Sequence, residues 1–261
     1  MLKKLFKYDF IWINKIMIIY YIILLVISIL TKIVESMDQT FLLLIIDKIL
    51  SSMFIGCAVS VIITTFMRIW ARFLVNNYKD ESYLTHTLPV TKNQIFNSKI
   101  LAGIISILIS TLVIVGCIAL IYLNANNWEY LKAMFESLAQ AYSKFIAVSY
   151  IVGLIVLVIL ELFYIMFAGI LGLVIGHRSN NHKMLKSIII GFVSYVVLLV
   201  LSFITVGITS NFTDSTIVYN GFPPVSTMKA IGLTFVIVYI IYNIGHYLIA
   251  KHLFNKGINV E

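Results

Sequence analysis

Charge is what this sequence lacks most. Asp, Glu, Lys and Arg make up 11% of its 261 residues, less than half of the roughly 25% usual in a soluble domain. Apolar residues reach 61%, more than a soluble fold of this length can bury, so lipid must be the solvent for most of the chain. The apolar runs are continuous and do not alternate, which excludes the strands of a membrane barrel. Helices remain, because lipid offers the backbone no hydrogen-bond partner. Cysteine is scarce as well. Cys57 and Cys117 both lie inside apolar runs and read as small buried residues, not as a disulfide or a metal site. Catalytic signatures are missing: there is no G-x-x-x-x-G-K-[ST] loop, no H-E-x-x-H, no G-x-S-x-G and no C-x-x-C. The chain is therefore read as a non-enzyme with no cofactor and no metal of its own.

What is present is a series of apolar runs, each near the roughly 20 residues needed to cross a bilayer. Six spans are expected, at about 16–33, 49–67, 100–123, 145–175, 187–209 and 230–250, forming one all-α polytopic membrane domain over 1–261. The first run is too long for a signal-peptide core and has no small-x-small cleavage site, so it is read as a retained helix. Basic residues orient the spans. Lys3, Lys4, Lys7, Lys15, Arg68, Arg72, Lys79, Lys92, Lys99, Arg178, Lys183, Lys186, Lys251 and Lys256 fall on one side, and Lys32, Lys132, Lys144 and Lys229 on the other, with Lys48 near the outer end of the second span. That asymmetry predicts both termini in the cytoplasm. It also accounts for the net charge of +8 without nucleic acid as a partner.

Three segments outside the spans carry a pattern. Before the first span, Leu2, Leu5, Phe6, Phe10 and Ile13 share a helical face while Lys3, Lys4 and Lys7 lie elsewhere. This predicts an amphipathic interfacial helix drawn to anionic lipid, the alternative being a plain extension of the first span. Trp128, Leu131, Phe135, Leu138 and Tyr142 form a second stripe, either a separate outer helix or a prolongation of the fourth span. Gly221, Pro223 and Pro224 break the outer segment 211–227 into a re-entrant turn or a loop.

Within the spans, Glu161 stands alone in the middle of the fourth run, in Val158-Ile159-Leu160-Glu161-Leu162-Phe163-Tyr164. A charge there costs on the order of 3 kcal/mol on insertion scales. It must face a bundle interior, a cavity or a partner, as a pathway or gating residue or as a structural partner for a neighbouring hydroxyl. Ala102, Ser106 and Ser110, and Gly172 with Gly176, place small residues at helical spacing for close helix contact. His177 and His182 flank a basic loop without cysteine or carboxylate and read as solvated. His246 and His252 read as interfacial.

The most informative stretch is the inner connection 76–99 between the second and third spans. It mixes aromatic and apolar residues with charges, Pro89 supplies a break, and Thr91 is placed to cap a new helix. A short helix and a turn here offer a compact knob for a cytoplasmic partner. The run Asp80-Glu81-Ser82-Tyr83-Leu84-Thr85-His86-Thr87-Leu88-Pro89-Val90, followed by Ser98-Lys99, resembles the D-E-G-Y-L-x-x-T-L-P-V-S…S-K segment of bacterial ABC-2 type transporter permeases. Ser82 stands where that pattern has glycine, and Thr91 where it often has serine. The resemblance implies a permease subunit of an ATP-binding cassette transporter in the plasma membrane, exporting a peptide, drug or lipid-like substrate. It further implies pairing with a second copy or a paralogue, and a separate ABC ATPase subunit that binds ATP and magnesium. Asp80, Glu81, Tyr83, Leu84, Thr87, Leu88, Pro89, Val90, Ser98 and Lys99 would then belong to the ATPase-coupling segment, and Glu161 to the pathway or its gate. The alternative is a membrane protein that acts without an ATPase, such as an immunity or sensor protein or a secondary transporter.

Overall fold

The computed structural model describes residues 2–37, 40–79, 81–87, 89–123, 125–142, 144–212 and 225–257. Of these, 86, 125–127, 138–142, 144–147, 210–212 and 225–228 are described by their backbone alone. The described residues form helices and no strand: α1 (Leu2–Glu35), α2 (Phe41–Tyr78), α3 (Ser82–Thr87), α4 (Lys92–Tyr122), α5 (Ala125–Tyr142), α6 (Lys144–Gly176), α7 (Lys183–Phe212) and α8 (Val225–Asn255). Six of them, α1, α2, α4, α6, α7 and α8, are long and apolar enough to cross a membrane. This is the architecture of a multi-pass membrane protein. The expected turn around Gly221, Pro223 and Pro224 lies outside the described residues, as do Asp80 and Leu88.

The helices outrun the expected spans. α1 has 34 residues and α2 has 38, or about 51 and 57 Å at 1.5 Å per residue. The hydrocarbon core is only about 30 Å thick. The amphipathic beginning of the chain therefore continues without a break into the first span. Leu2, Leu5, Phe6 and Phe10 are half-buried along it and Lys3, Lys4 and Lys7 exposed. The second aromatic stripe falls on α5, with Trp128 and Leu131 exposed.

The chain divides into two compact units. Unit 1 comprises 1–76 with 80–134, and unit 2 comprises 77–79 with 135–261. In unit 1, α1 and α4 run parallel and in register, paired at Asp9–Ser98, Asn14–Ser106, Tyr21–Ser110 and Lys32–Ile121. Ala102, Ser106 and Ser110, the expected small face, are buried at this contact, and small side chains let the two backbones approach closely. α2 runs the other way, held through longer side chains at Arg72–Asp9, Arg68–Trp12 and Thr65–Met17. Met17, Leu24, Phe54, Val61, Ile114 and Cys117 fill the apolar core between them.

Unit 2 packs α7 antiparallel and α8 parallel to α6. Pairs Tyr164–Ser194 and Gly172–Gly191 tie α6 to α7, and Leu160–Asn243 and Phe167–Tyr247 tie it to α8. Gly172 and Gly176 lie directly against the backbone of α7 around Ser187 and Gly191. Tyr164, Ala168 and Leu198 form the core where the three helices meet.

Candidate functional site

Unit 1 carries a charge-balanced cluster at the end where α1 begins, α2 ends and α4 begins. Arg72 and Asn76 stand four apart on α2 and so share a face. Arg72 Nε donates to Asp9 Oδ1 at 2.7 Å and its Nη1 to Glu81 Oε2 at 2.8 Å. Asn76 Nδ2 donates to the same Glu81 oxygen at 2.9 Å. Ser98 Oγ donates to Asp9 Oδ2 at 2.9 Å. Lys99 Nζ lies 3.5 Å from that oxygen and also donates to Asn76 Oδ1. Asp9 is 2% exposed and Lys99 4%. Two carboxylates meet two cations and almost every polar atom has a partner, which is the condition under which charges can be buried at all. Beside the cluster, Arg68 stacks on Trp12 with its guanidinium 3.7 Å from the ring centre. Such a contact contributes about 0.5–2 kcal/mol.

The cluster reaches the surface through Glu81. Its carboxylate grips α2, while its backbone carbonyl accepts the Thr85 N–H at 3.0 Å and the Thr85 hydroxyl at 2.9 Å. One residue thus starts α3 and fixes it to the charged core. α3 then presents Tyr83, 76% exposed, and Leu84, 67% exposed. Thr87 and Pro89 are exposed beyond them, the Thr87 hydroxyl donating to Leu84 O at 3.0 Å, and Val90 is half-buried. Pro89 separates α3 from α4. Thr91 caps α4 in a full capping box with Gln94, as its position predicts.

The ten residues singled out in the connection therefore divide. Tyr83, Leu84, Thr87 and Pro89 form an outward knob, with Val90 half-buried behind it. Glu81, Ser98 and Lys99 belong to the buried cluster. Asp80 and Leu88 fall outside the described residues. Lys99 and Arg72, counted above as topology charges, are structural ion-pair partners as well. Sequence reasoning missed Asp9, Arg72 and Asn76. The available signal was Asp9, the one acid before Glu35, set in a lysine-rich amphipathic segment where an acid has no reason to be unless it is paired.

In unit 2, Glu161 lies half-buried among tyrosines. Tyr195 donates its hydroxyl to Glu161 Oε1 at 3.0 Å, and Tyr239 also faces the carboxylate. Tyr164, the centre of this group, packs against Tyr195, Tyr239, Tyr242 and His246 and donates to Ser194 O at 2.6 Å. Asn243 Nδ2 donates to Leu160 O at 3.2 Å. Glu161 thus has the neighbouring hydroxyl that one of its two readings requires. His246 is buried, bonded to Ser194 and to Tyr242 O. His177 is not solvated. It is buried, stacked on Tyr78 and bonded to Leu173 O, while His182 is exposed. Among the described residues no group of three or more His, Cys, Asp and Glu is placed to hold a metal.

Glutamine at position 161 keeps an acceptor for Tyr195. Glu161→Gln is therefore expected to shift the unfolding free energy of the detergent-solubilised protein by no more than about 1 kcal/mol, the worth of one hydrogen bond. A collapse of the folded fraction in that variant would show that the charge itself holds the three helices together. Comparison with protein-family models, with curated proteins and with solved structures returns no match for this chain.

Proposed function

We propose that the chain is the membrane-spanning permease subunit of an ABC-2 type exporter, working in the plasma membrane with both termini in the cytoplasm. The observation that carries this reading is α3. It is a six-residue helix, too short to persist alone, held outward by Glu81 on the buried Asp9–Arg72–Lys99 core and offering Tyr83 and Leu84 to solvent. A solvated loop has no need of an exposed Tyr-Leu pair on a charge-pinned base, whereas a docking knob needs both. The S-Y-L-T-H-T part of the run that carries the resemblance is this element. The fourteen-to-four distribution of basic residues supports a cytoplasmic position for it, where an ATPase would meet it. The exposed Lys3, Lys4 and Lys7 at the start of α1 support contact of that end with an anionic lipid surface.

The mechanism follows from how α2 is held. α1 and α4 pack through small residues, while α2, which leads into the knob, is attached through arginine, threonine and aromatic side chains. Closure of a partner ATPase on ATP and magnesium moves α3, and the ionic base passes that motion to α1, α2 and α4 together. Two permease subunits, identical or paralogous, then open alternately to a peptide, drug or lipid-like substrate. The coupling energy is set by the difference between the two states in affinity for ATP and for substrate. Glu161 in its tyrosine setting is the pathway or gating residue of this reading.

The test is co-purification in mild detergent from the native host, with an ATPase assay. Tyr83→Ala with Leu84→Ala removes exposed side chains, so the unfolding free energy is expected to stay within about 0.5 kcal/mol of the parent for each change. The bound ATPase is expected to fall at least tenfold. A parent chain that purifies with no ATPase under any condition would overturn the permease reading in favour of a membrane protein acting alone. An undiminished complex in the double variant would overturn the role given to α3.

A further inference from the structure

We infer that Glu161 is the seat of an organic cation, an ammonium group carried on an apolar body, bound within the membrane by α6, α7 and α8. A carboxylate in a bilayer calls for a positive partner, and no lysine or arginine of the chain is placed to supply one. Lys and Arg are absent from 145–177, 187–228 and 230–250, and in unit 1 from 16–31, 49–67 and 100–131. Lys144 and Arg178, the nearest along the chain, each stand 17 residues from Glu161, about 25 Å at helical rise. His246 has both ring nitrogens engaged, by Ser194 and by Tyr242 O.

What the three helices do supply is orientation and acceptors. Tyr195 donates to Glu161 Oε1 at 3.0 Å and Tyr239 faces the carboxylate; both hydroxyls hold it in place, and neither balances its charge. Asn243 stands four residues from Tyr239 on α8 and so shares its face. It is 8% exposed. Its Nδ2 donates to Leu160 O at 3.2 Å, one residue before Glu161, and to Tyr239 O at 2.8 Å. Its Oδ1 has no donor among the described residues, a cost that an N–H of an ammonium removes. The surroundings favour an organic ligand over a metal ion. Leu154 and Val158, 63% and 56% exposed, share a face of α6 with Glu161 at i, i+4 and i+7, so the carboxylate ends an exposed apolar stripe. The half-buried rings of Tyr195 and Tyr239 flank it, and ring faces attract cations. A metal ion would exchange its water shell for this mostly apolar lining, whereas an amphiphile brings matching apolar surface. The inference deepens the permease reading, on which its transport role rests, by making the substrate a cationic amphiphile. The binding itself requires only the folded chain.

The test is protection of the carboxylate in the purified full chain, held in phosphatidylcholine nanodiscs. Dicyclohexylcarbodiimide, an apolar reagent, modifies carboxyl groups within membranes. Peptide mass spectrometry reads its rate at Glu161, the one acid in 145–213, with Glu161→Gln as the blank. The probe is N,N-dimethyloctylammonium, which is cationic, carries an N–H and, as a tertiary amine, forms no amide with the activated carboxyl. At ten times its half-effect concentration it is expected to slow labelling about tenfold, since labelling follows the unoccupied fraction. Octanol and sodium ions are expected to leave the rate unchanged. Equal protection by sodium would overturn the organic ligand in favour of a metal ion, and equal protection by octanol would show that the charge is not what is recognised. Labelling that no cation slows, or a carboxylate that the reagent never reaches, would overturn the site. Protection in a chain that binds no ATPase would keep the site and sink the permease reading; an ATPase bound to an unprotected chain would do the reverse.

Discussion

Replacing Asp9 with asparagine is expected to destabilise unit 1 by about 3–5 kcal/mol, the cost of breaking a buried ion pair from one side. Asparagine matches aspartate in size but keeps one acceptor oxygen where aspartate uses two, so the change removes the negative charge and sets an amide N–H2 against the donor of either Arg72 or Ser98. Arg72 and Lys99, the latter 4% exposed, then share a buried site with Glu81 as the remaining anion. An uncompensated cation in such surroundings carries its desolvation penalty without the Coulombic return. The reciprocal change should be milder. Lys99→Met deletes the cation and leaves Asp9 paired with Arg72 at 2.7 Å, and its unbranched chain fills the same space. The double variant restores neutrality, so it is expected to be more stable than the sum of the two single changes by at least about 1 kcal/mol. Unfolding of the detergent-solubilised protein, read by loss of intact protein on heating, checks all three. Strict additivity would show that Asp9 and Lys99 do not act as a pair.

The second large effect is expected at the α6–α7 contact. A Cβ at Gly172 would clash with the Ser187 carbonyl and lie 2.8 Å from Gly191 N, and one at Gly176 would lie 2.5 Å from Ser187 N. These are backbone atoms and cannot swing aside as a side-chain end can. Gly172→Ala or Gly176→Ala should therefore force the two helices apart, at the upper end of the roughly 1–3 kcal/mol typical of overpacking, or beyond it. For a chain of this size that is a fall of about 5 °C or more in melting midpoint. Gly153 and Gly232 supply the control, since a Cβ at either meets nothing within 4 Å. Alanine there should be neutral or slightly stabilising, because alanine favours helix over glycine by about 1 kcal/mol. A Gly172→Ala protein that melts like Gly153→Ala would mean that α6 and α7 do not touch at this point.

Both predictions bear on function. If Asp9→Asn weakens the base of α3, ATPase binding should fall even though Tyr83 and Leu84 are intact. The defect should be recovered in part by the neutral double variant. A glycine substitution in unit 2 leaves the knob in place, so any loss of ATPase binding there should track loss of folded protein. Comparing bound ATPase per folded molecule across the two series separates a coupling defect from simple instability.

The sequence by itself determined the solvent, the element type and the number of crossings. Those depend on one-dimensional properties: the length of apolar runs, the absence of alternation, and lysine on one side of them. Local chemistry was equally legible, as at Thr91, where a hydroxyl three residues before Gln94 suffices for a capping box. So was the use of Gly172 and Gly176, because small residues four apart on an apolar helix have little to do except admit another helix. Only the tertiary structure decided that Asp9, Arg72, Asn76, Glu81 and Lys99 form one cluster. They are contributed by three long helices and a turn, separated by as many as 90 residues. The cations among them, Arg72 and Lys99, also have a sufficient local explanation in membrane topology. Likewise, nothing local distinguishes His182, left in solvent, from His177, buried against Tyr78, or names Tyr195 as the partner of Glu161. Periodicity fixes which face a residue occupies along its own helix. Which face meets which is set by the packing of all the helices at once, and the partner of a buried charge is known only when that packing is.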